Sequence, residues 1–137
     1  MKNEHLEIAV DEFGSPIISF ATTDMSLEQM IDMMQDKGFR HLPVLERRKP
    51  IGMISCRDLL LLKGLNQHFD LKASDVMVEN PYCVPSGTSI GDVAFEMSQQ
   101  KIGSAIIVDD KGCADSIFTS IDGLNALVEI VRGEIEI

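Results

Sequence analysis

Apolar residues at Leu27, Met30, Ile31 and Met34, and again at Ile90, Val93, Ala94 and Met97, follow the i, i+3, i+4, i+7 spacing of a helix with one buried face. The two stretches open alike, on Ser26 and Ser89, and lie 63 residues apart. Each serine suits an N-cap, and Gln29 completes a capping box in the first copy. Two short apolar runs follow each helix: Leu42–Leu45 then Ile51–Ile54, answered by Ala105–Val108 then Asp115–Phe118. By the second run the offset is 64, so the turn from Asp109 to Cys113 carries one extra residue. A second helix opens at Asp58-Leu59-Leu60-Leu61-Leu62 and again from Asp122, where Leu124, Leu127, Val128 and Val131 keep helical spacing. One more strand candidate precedes each copy, Ile17–Thr22 and Tyr82–Pro85.

The chain is therefore one unit written twice, each copy reading β-α-β-β-α. This predicts an N-terminal extension over 1–15, a first repeat over 16–63, a linker with a short helical turn over 64–80, a second repeat over 81–132 and a tail over 133–137. Neither copy alone could cover both faces of a three-stranded sheet. The expected fold is α/β (α+β), with two repeats packed sheet to sheet, helices outside, pseudo-two-fold symmetry and two related clefts where the halves meet.

Composition supports a folded chain: of 137 residues, 45% are hydrophobic and only 5% aromatic, with eight Met and no Trp. The net charge of −10 disfavours nucleic acid as a partner. It is unevenly placed. Nine basic residues meet eleven acidic ones up to Ala73, and three meet eleven from Ser74 onward, so an anionic ligand is better tolerated in the first half. Three cysteines without CxxC spacing, no signal-like N-terminus and no apolar run long enough for a bilayer predict a soluble, cytoplasmic protein with free thiols and no membrane partner.

Both copies place a hydroxyl residue three before an aspartate where a strand meets a helix: Ser55-Cys56-Arg57-Asp58 and Thr119-Ser120-Ile121-Asp122. Helix capping alone accounts for such a pair. Free helix amides, a hydroxyl and a carboxylate can equally hold phosphate and ribose hydroxyls. Recurrence at matching positions favours the second use. Other features have simple readings. His41 can be a strand-end surface residue, and His5 and His68, without Cys or His at ligand spacing, are expected in solvent. Met30, Met33 and Met34 read as core and interface filler, Arg47-Arg48-Lys49 as a solvated hairpin turn, and Cys56 as a thiol at a helix start with nothing else marking a nucleophile.

The run Gly38-Phe39-Arg40-His41-Leu42-Pro43-Val44, followed by Gly52-Met53-Ile54-Ser55-Cys56-Arg57-Asp58, resembles a CBS domain, and the tandem resembles the Bateman module. The likeness covers roughly 16–132. In the second copy Ser116 stands for the usual glycine, and Gly103-Ser104-Ala105-Ile106 lacks the basic residues and the proline. Such modules bind AMP, ADP, ATP or S-adenosylmethionine between the repeats, as a regulatory ligand and not as a catalytic cofactor. The resemblance implies that Asp58 holds ribose hydroxyls, that Ser55, Arg57, Arg40 and His41 lie near the phosphate, and that Met53 lines the adenine pocket, closed by Tyr82, Cys83 and Val84. It implies a weaker second site of Asp122, Thr119, Ile117 and Ser104 with Ser19, Phe20 and Ala21. It also implies a homodimer through the helices from Leu59 and Leu124, and a regulated partner protein.

Three functions remain to be separated. No nucleophile–base pair, metal cluster, Walker loop or GxGxxG is visible, so no enzyme is expected. The expected function is a regulatory ligand sensor. The alternative is a dimerisation scaffold whose ligand sites have decayed, a reading favoured by the degenerate second copy and opposed by the intact first motif.

Overall fold

The computed structural model describes residues 7–38, 40–65 and 70–133. The chain forms two compact units, residues 17–81 and residues 1–16 with 82–137, and each holds one sheet of a mixed α/β fold. His5 and His68 lie outside the described residues.

In the unit of residues 17–81, helix α1 (Leu27–Lys37) starts where Ser26 Oγ accepts from Gln29 N at 3.2 Å and Gln29 Oε1 accepts from Ser26 N at 3.0 Å. It stops at Gly38, whose φ of 73° suits a residue without a Cβ. Strands β2 (His41–Glu46) and β3 (Lys49–Ser55) form an antiparallel hairpin, and α2 (Cys56–Gly64) follows directly. A short helix α3 (Ala73–Val76) and strand β4 (Val78–Glu79) complete the sheet in the order β2-β3-β4. Met30, Ile31, Met34, Leu42, Val44, Ile54, Leu59 and Ala73 are buried in one cluster, the face that the 3.6-residue and two-residue periods select.

The other unit carries β5 (Cys83–Pro85), α4 (Ile90–Gln100), β6 (Ser104–Val108), β7 (Ala114–Thr119) and α5 (Ser120–Val131). Strand β5 runs parallel to β6, and β6 pairs antiparallel with β7. Its core joins Val84, Ile90, Val93, Met97, Ala105, Ile107, Phe118 and Ala126 to Ile8 and Val10. The two hairpins bulge at matching places, at Ile51 opposite Val44/Leu45 and at Asp115 opposite Ile107/Val108. Their turns differ. Arg47 and Arg48 both sit at positive φ (51° and 67°), whereas the longer turn gives that conformation to Gly112 and is held by Asp109 Oδ1, which accepts from Lys111 N and Cys113 N at 2.9 Å.

Four expectations change. The segment read as an N-terminal extension is structural: a 3-10 turn (Val10–Glu12) and strand β1 (Ser15–Pro16) add to β7 at the sheet edge. The linker is its counterpart 63 residues on, since α3 and β4 do the same for β3. The correspondence extends to single bonds: Val10 N donates to Thr88 O as Ala73 N does to Met25 O, both at 2.8 Å. Thus the arm preceding each repeat in sequence completes the sheet of the other.

Third, Ile17–Thr22 is not a strand. Only Ala21 forms a β-bridge, donating to Pro43 O and accepting from Leu45 N, both at 2.9 Å, while Ile18 stays 81% exposed. Fourth, Ser89 makes no side-chain cap; the first amide of α4, Ile90 N, donates to Ile8 O at 2.8 Å, as Leu27 N does to Leu71 O at 3.1 Å in the first copy, where Ser26 caps through Gln29 N.

Candidate functional site

Ser55 ends β3 and caps α2, its Oγ accepting from Asp58 N at 3.1 Å. The first amide of α2, Cys56 N, donates to Arg40 O at 2.7 Å, which ties the residue before β2 to the helix start. His41 lies across the strands from Ser55, and Met53 lies across from Pro43 and, on its other side, Val78. By strand alternation His41, Pro43, Met53 and Ser55 share one face, opposite to Leu42 and Ile54.

Arg40, His41, Ser55 and Arg57 come together around a concavity of about 570 Å³. Sequence reasoning missed three further lining residues, Cys56, Leu60 and Leu61. Arg57, Leu60 and Leu61 stand at i, i+3 and i+4, the signal that would have placed the leucines there. Met53 and Asp58 do not line the concavity. Asp58 is exposed, and among the described residues its carboxylate accepts no hydrogen bond because Ser55 already supplies the cap. His41 is half-buried. Burial and the positive charge of Arg40 both hold its imidazole below the usual histidine range, so the neutral form prevails near pH 7.

The matching frame exists in the other unit. Ser104 lies across from Thr119, Ile117 across from Ile106, and Ser120 N donates to Gly103 O at 3.1 Å, as Cys56 does to Arg40. The chemistry differs. Asp122 Oδ2 accepts from Thr119 N at 2.8 Å and from Thr119 Oγ1 at 3.1 Å, so this carboxylate serves its own helix start. Gly103, Ser104 and Ile121 stand where Arg40, His41 and Arg57 stand in the first copy. A recess of about 300 Å³ between α4 and α5 includes none of the predicted residues.

Three expected neighbours separate by strand alternation. Val84 is buried in the core of its own unit and Tyr82 packs against it, where burial and the charges of Glu96 and Asp92 raise its phenol. Cys83 alone points to the other face, beside Ile106, and burial pushes its thiol up, away from the reactive thiolate. Of the remaining three, Ala21 is fully buried in the core, Ser19 is half-buried and Phe20 is 43% exposed. Among the described residues no three His, Cys, Asp or Glu side chains group as metal ligands, and no helix is long and apolar enough to cross a membrane.

The duplicated sheet-and-helix unit with a hydroxyl-x-x-aspartate helix start defines a class, and the family comparison names it. The CBS domain profile matches residues 10–63 and 73–129, so the chain belongs to the CBS domain family and carries a tandem pair. It is 27% identical over 96 residues to an uncharacterised 17.7 kDa protein of Acidianus ambivalens, covering 68% of this chain and 58% of that one. It is 28% identical over 105 residues to the inosine-5'-monophosphate dehydrogenase of Nitrosopumilus maritimus, covering 76% of this chain and 21% of the enzyme. The chain thus spans 58% and 21% of the lengths of these curated relatives.

Among solved structures, a putative acetoin utilization protein (AcuB) from Vibrio cholerae superposes with a TM-score of 0.80 at 23% identity, covering 96% of this chain and 100% of that one. CBSX2 in complex with AMP gives 0.77 at 23% identity (90% and 98% covered). The CBS domain pair of MJ0100, in complex with 5'-methylthioadenosine and S-adenosyl-L-methionine, gives 0.78 at 23% identity (88% and 96% covered). At these identities the likeness establishes the fold.

Proposed function

We propose that the chain is a regulatory, non-catalytic module that binds an adenine-containing ligand beside Asp58 and passes the signal to a partner protein or through self-association. The observation that carries this reading is the gathering of Arg40, His41, Ser55 and Arg57 around one concavity at the start of α2, with the Asp58 carboxylate left unengaged one position on. Two guanidinium groups suit bidentate contact with phosphate, and an unengaged carboxylate suits ribose hydroxyls. AMP bound to CBSX2, and 5'-methylthioadenosine with S-adenosyl-L-methionine bound to MJ0100, support the ligand class.

The Asp122 position is read as the weaker site, since its carboxylate is consumed by Thr119 and no basic residue replaces Arg40 or Arg57. Self-association is read from exposed apolar residues on α2 (Leu60, Leu61) and α5 (Leu124, Leu127, Val131).

Thermal shift and calorimetric titration of AMP, ADP, ATP and S-adenosylmethionine against wild type, Asp58→Ala and Asp122→Ala test the proposal. A ligand that binds the native state raises Tm, and Asp58→Ala abolishes the shift while Asp122→Ala retains it. Equal loss in both variants contradicts the one-site reading. No shift with any of the four at millimolar concentration leaves the scaffold.

A further inference from the structure

The concavity at the start of α2 is lined by three nitrogen-bearing side chains of unlike character. Arg40 and Arg57 are exposed guanidinium cations. His41 is half-buried at the first position of β2, and its ring makes no hydrogen bond among the described residues. The described groups that line the concavity with it are Arg40 just before β2, Ser55 at the end of β3, and Cys56 and Arg57 from α2, with Leu60 and Leu61 a turn further on. Among the described residues no carboxylate lines the concavity, so none of those residues offsets within it the burial and the positive charge of Arg40 that disfavour an imidazolium.

A phosphate entering between the guanidinium groups reverses that balance. Its negative charge cancels the repulsion from Arg40, and its oxygens accept a hydrogen bond from a protonated ring nitrogen. We infer that His41 is the specificity-determining group of this site: it takes up a proton from solvent as a phosphorylated ligand binds, and so favours AMP, ADP or ATP over S-adenosylmethionine. The inference rests on the adenine-ligand reading above and names the charge class of its ligand. The step moves one proton from hydronium or buffer to the imidazole, with no bond made to the ligand and no electron transferred. The sulfonium of S-adenosylmethionine adds positive charge and offers His41 no such partner.

The sign is fixed by linkage. Between the His41 value in the free protein and the higher value in the complex, affinity for the phosphorylated ligand rises as pH falls, approaching about tenfold per pH unit. The ligand titrates in the opposite sense. Its phosphate loses a proton near pH 6, and a cationic site lowers that value, so this group releases a proton on binding. Net uptake therefore marks His41.

Calorimetric titration of AMP, ATP and S-adenosylmethionine at pH 7, in buffers of different ionisation enthalpy, counts the protons. Wild type is expected to take up a fraction approaching about one proton with ATP, less with AMP and none with S-adenosylmethionine. His41→Gln, with a retained melting transition, is expected to bind ATP more weakly and take up none. The His41 Hε1 resonance provides a second readout, its titration midpoint moving up when ATP is added. Binding of AMP or ATP without uptake, uptake that persists in His41→Gln, or tighter binding of S-adenosylmethionine than of ATP overturns the inference and leaves the adenine-ligand reading standing. Absence of binding by all three overturns both.

Discussion

Replacing Gly52 by alanine tests how the arm that precedes the second repeat is seated on the first sheet. Gly52 is buried in β3, with Glu79 of β4 across from it, and Met77 lies over it. A Cβ built there would overlap Met77 Sδ and approach Met77 Cγ to 2.8 Å and Met77 Cβ to 2.9 Å. The sulfur and Cγ can rotate away, but the Cβ moves only with the backbone that carries α3 into β4. Overpacking of this kind costs about 1–3 kcal/mol. Alanine returns about 0.5–1 kcal/mol of the backbone entropy that glycine loses. The net expectation is a loss of about 1–2 kcal/mol, a fall in Tm of several degrees. The second repeat suggests the relief: Ser116 occupies the equivalent sheet position, and the equivalent arm position is Gly14. Met77→Gly should therefore offset the Gly52→Ala clash, with a coupling of about 1 kcal/mol or more in a double-mutant cycle by urea unfolding. A neutral or stabilising Gly52→Ala, or strictly additive effects of the two changes, would refute the reasoning.

Other outcomes follow from single contacts. Asp11 accepts from Ser86 Oγ at 2.6 Å and Gly87 N at 2.7 Å, which hold its carboxyl below the usual range; Asp11→Ala should cost about 1 kcal/mol in thermal unfolding, little for a charged bond because the site is exposed. The depressed carboxyl favours folding above the unfolded-state value near pH 4 and less as pH falls through the lowered folded value, so the wild-type and Asp11→Ala melting curves should converge in acid. Asp122→Ala removes the bonds to Thr119 and should cost about 1 kcal/mol, whereas Asp58→Ala should leave stability within about 0.5 kcal/mol of wild type; equal destabilisation in thermal unfolding would show that Asp58 also supports its helix. Arg47→Asn with Arg48→Gly places residues tolerant of positive φ in the two-residue turn and should raise stability by about 0.5–1 kcal/mol.

The elements long enough to show a period were legible in the sequence. Helices α1 and α4, the two hairpins and the extra turn residue were read from spacing alone, and the hydroxyl-x-x-aspartate recurrence pointed to Asp58 and Asp122. The arms were not legible, because two-residue strands and three- or four-residue helical turns offer no period to detect. Their trace is tertiary: Ile8 and Val10 recur as Leu71 and Ala73 at the same 63-residue offset, with Ile8, Val10 and Ala73 buried and Leu71 half-buried. Ile17–Thr22 misled because its composition suits a strand while only Ala21 forms a β-bridge. The sequence also could not tell which oxygen caps each helix. Ser55 and Thr119 precede identical aspartates, yet in one copy the hydroxyl satisfies the helix amide and in the other the carboxylate bonds back to the cap residue.

Because each arm serves the neighbouring sheet, the order of completion along the chain is unequal. The sheet of residues 17–81 has every strand in hand once Glu79 has been made, from a contiguous stretch of chain. Strand β1, by contrast, must wait for Ile117, and closing that loop brings together residues about a hundred positions apart. A chain divided at Leu65, between the sequence repeats, would leave β2 and β3 without β4, and β7 without β1. Division at Pro16 and Pro81 would instead release the first sheet whole and leave the second needing its two pieces to find each other, a split that should reassemble only as a bimolecular complex.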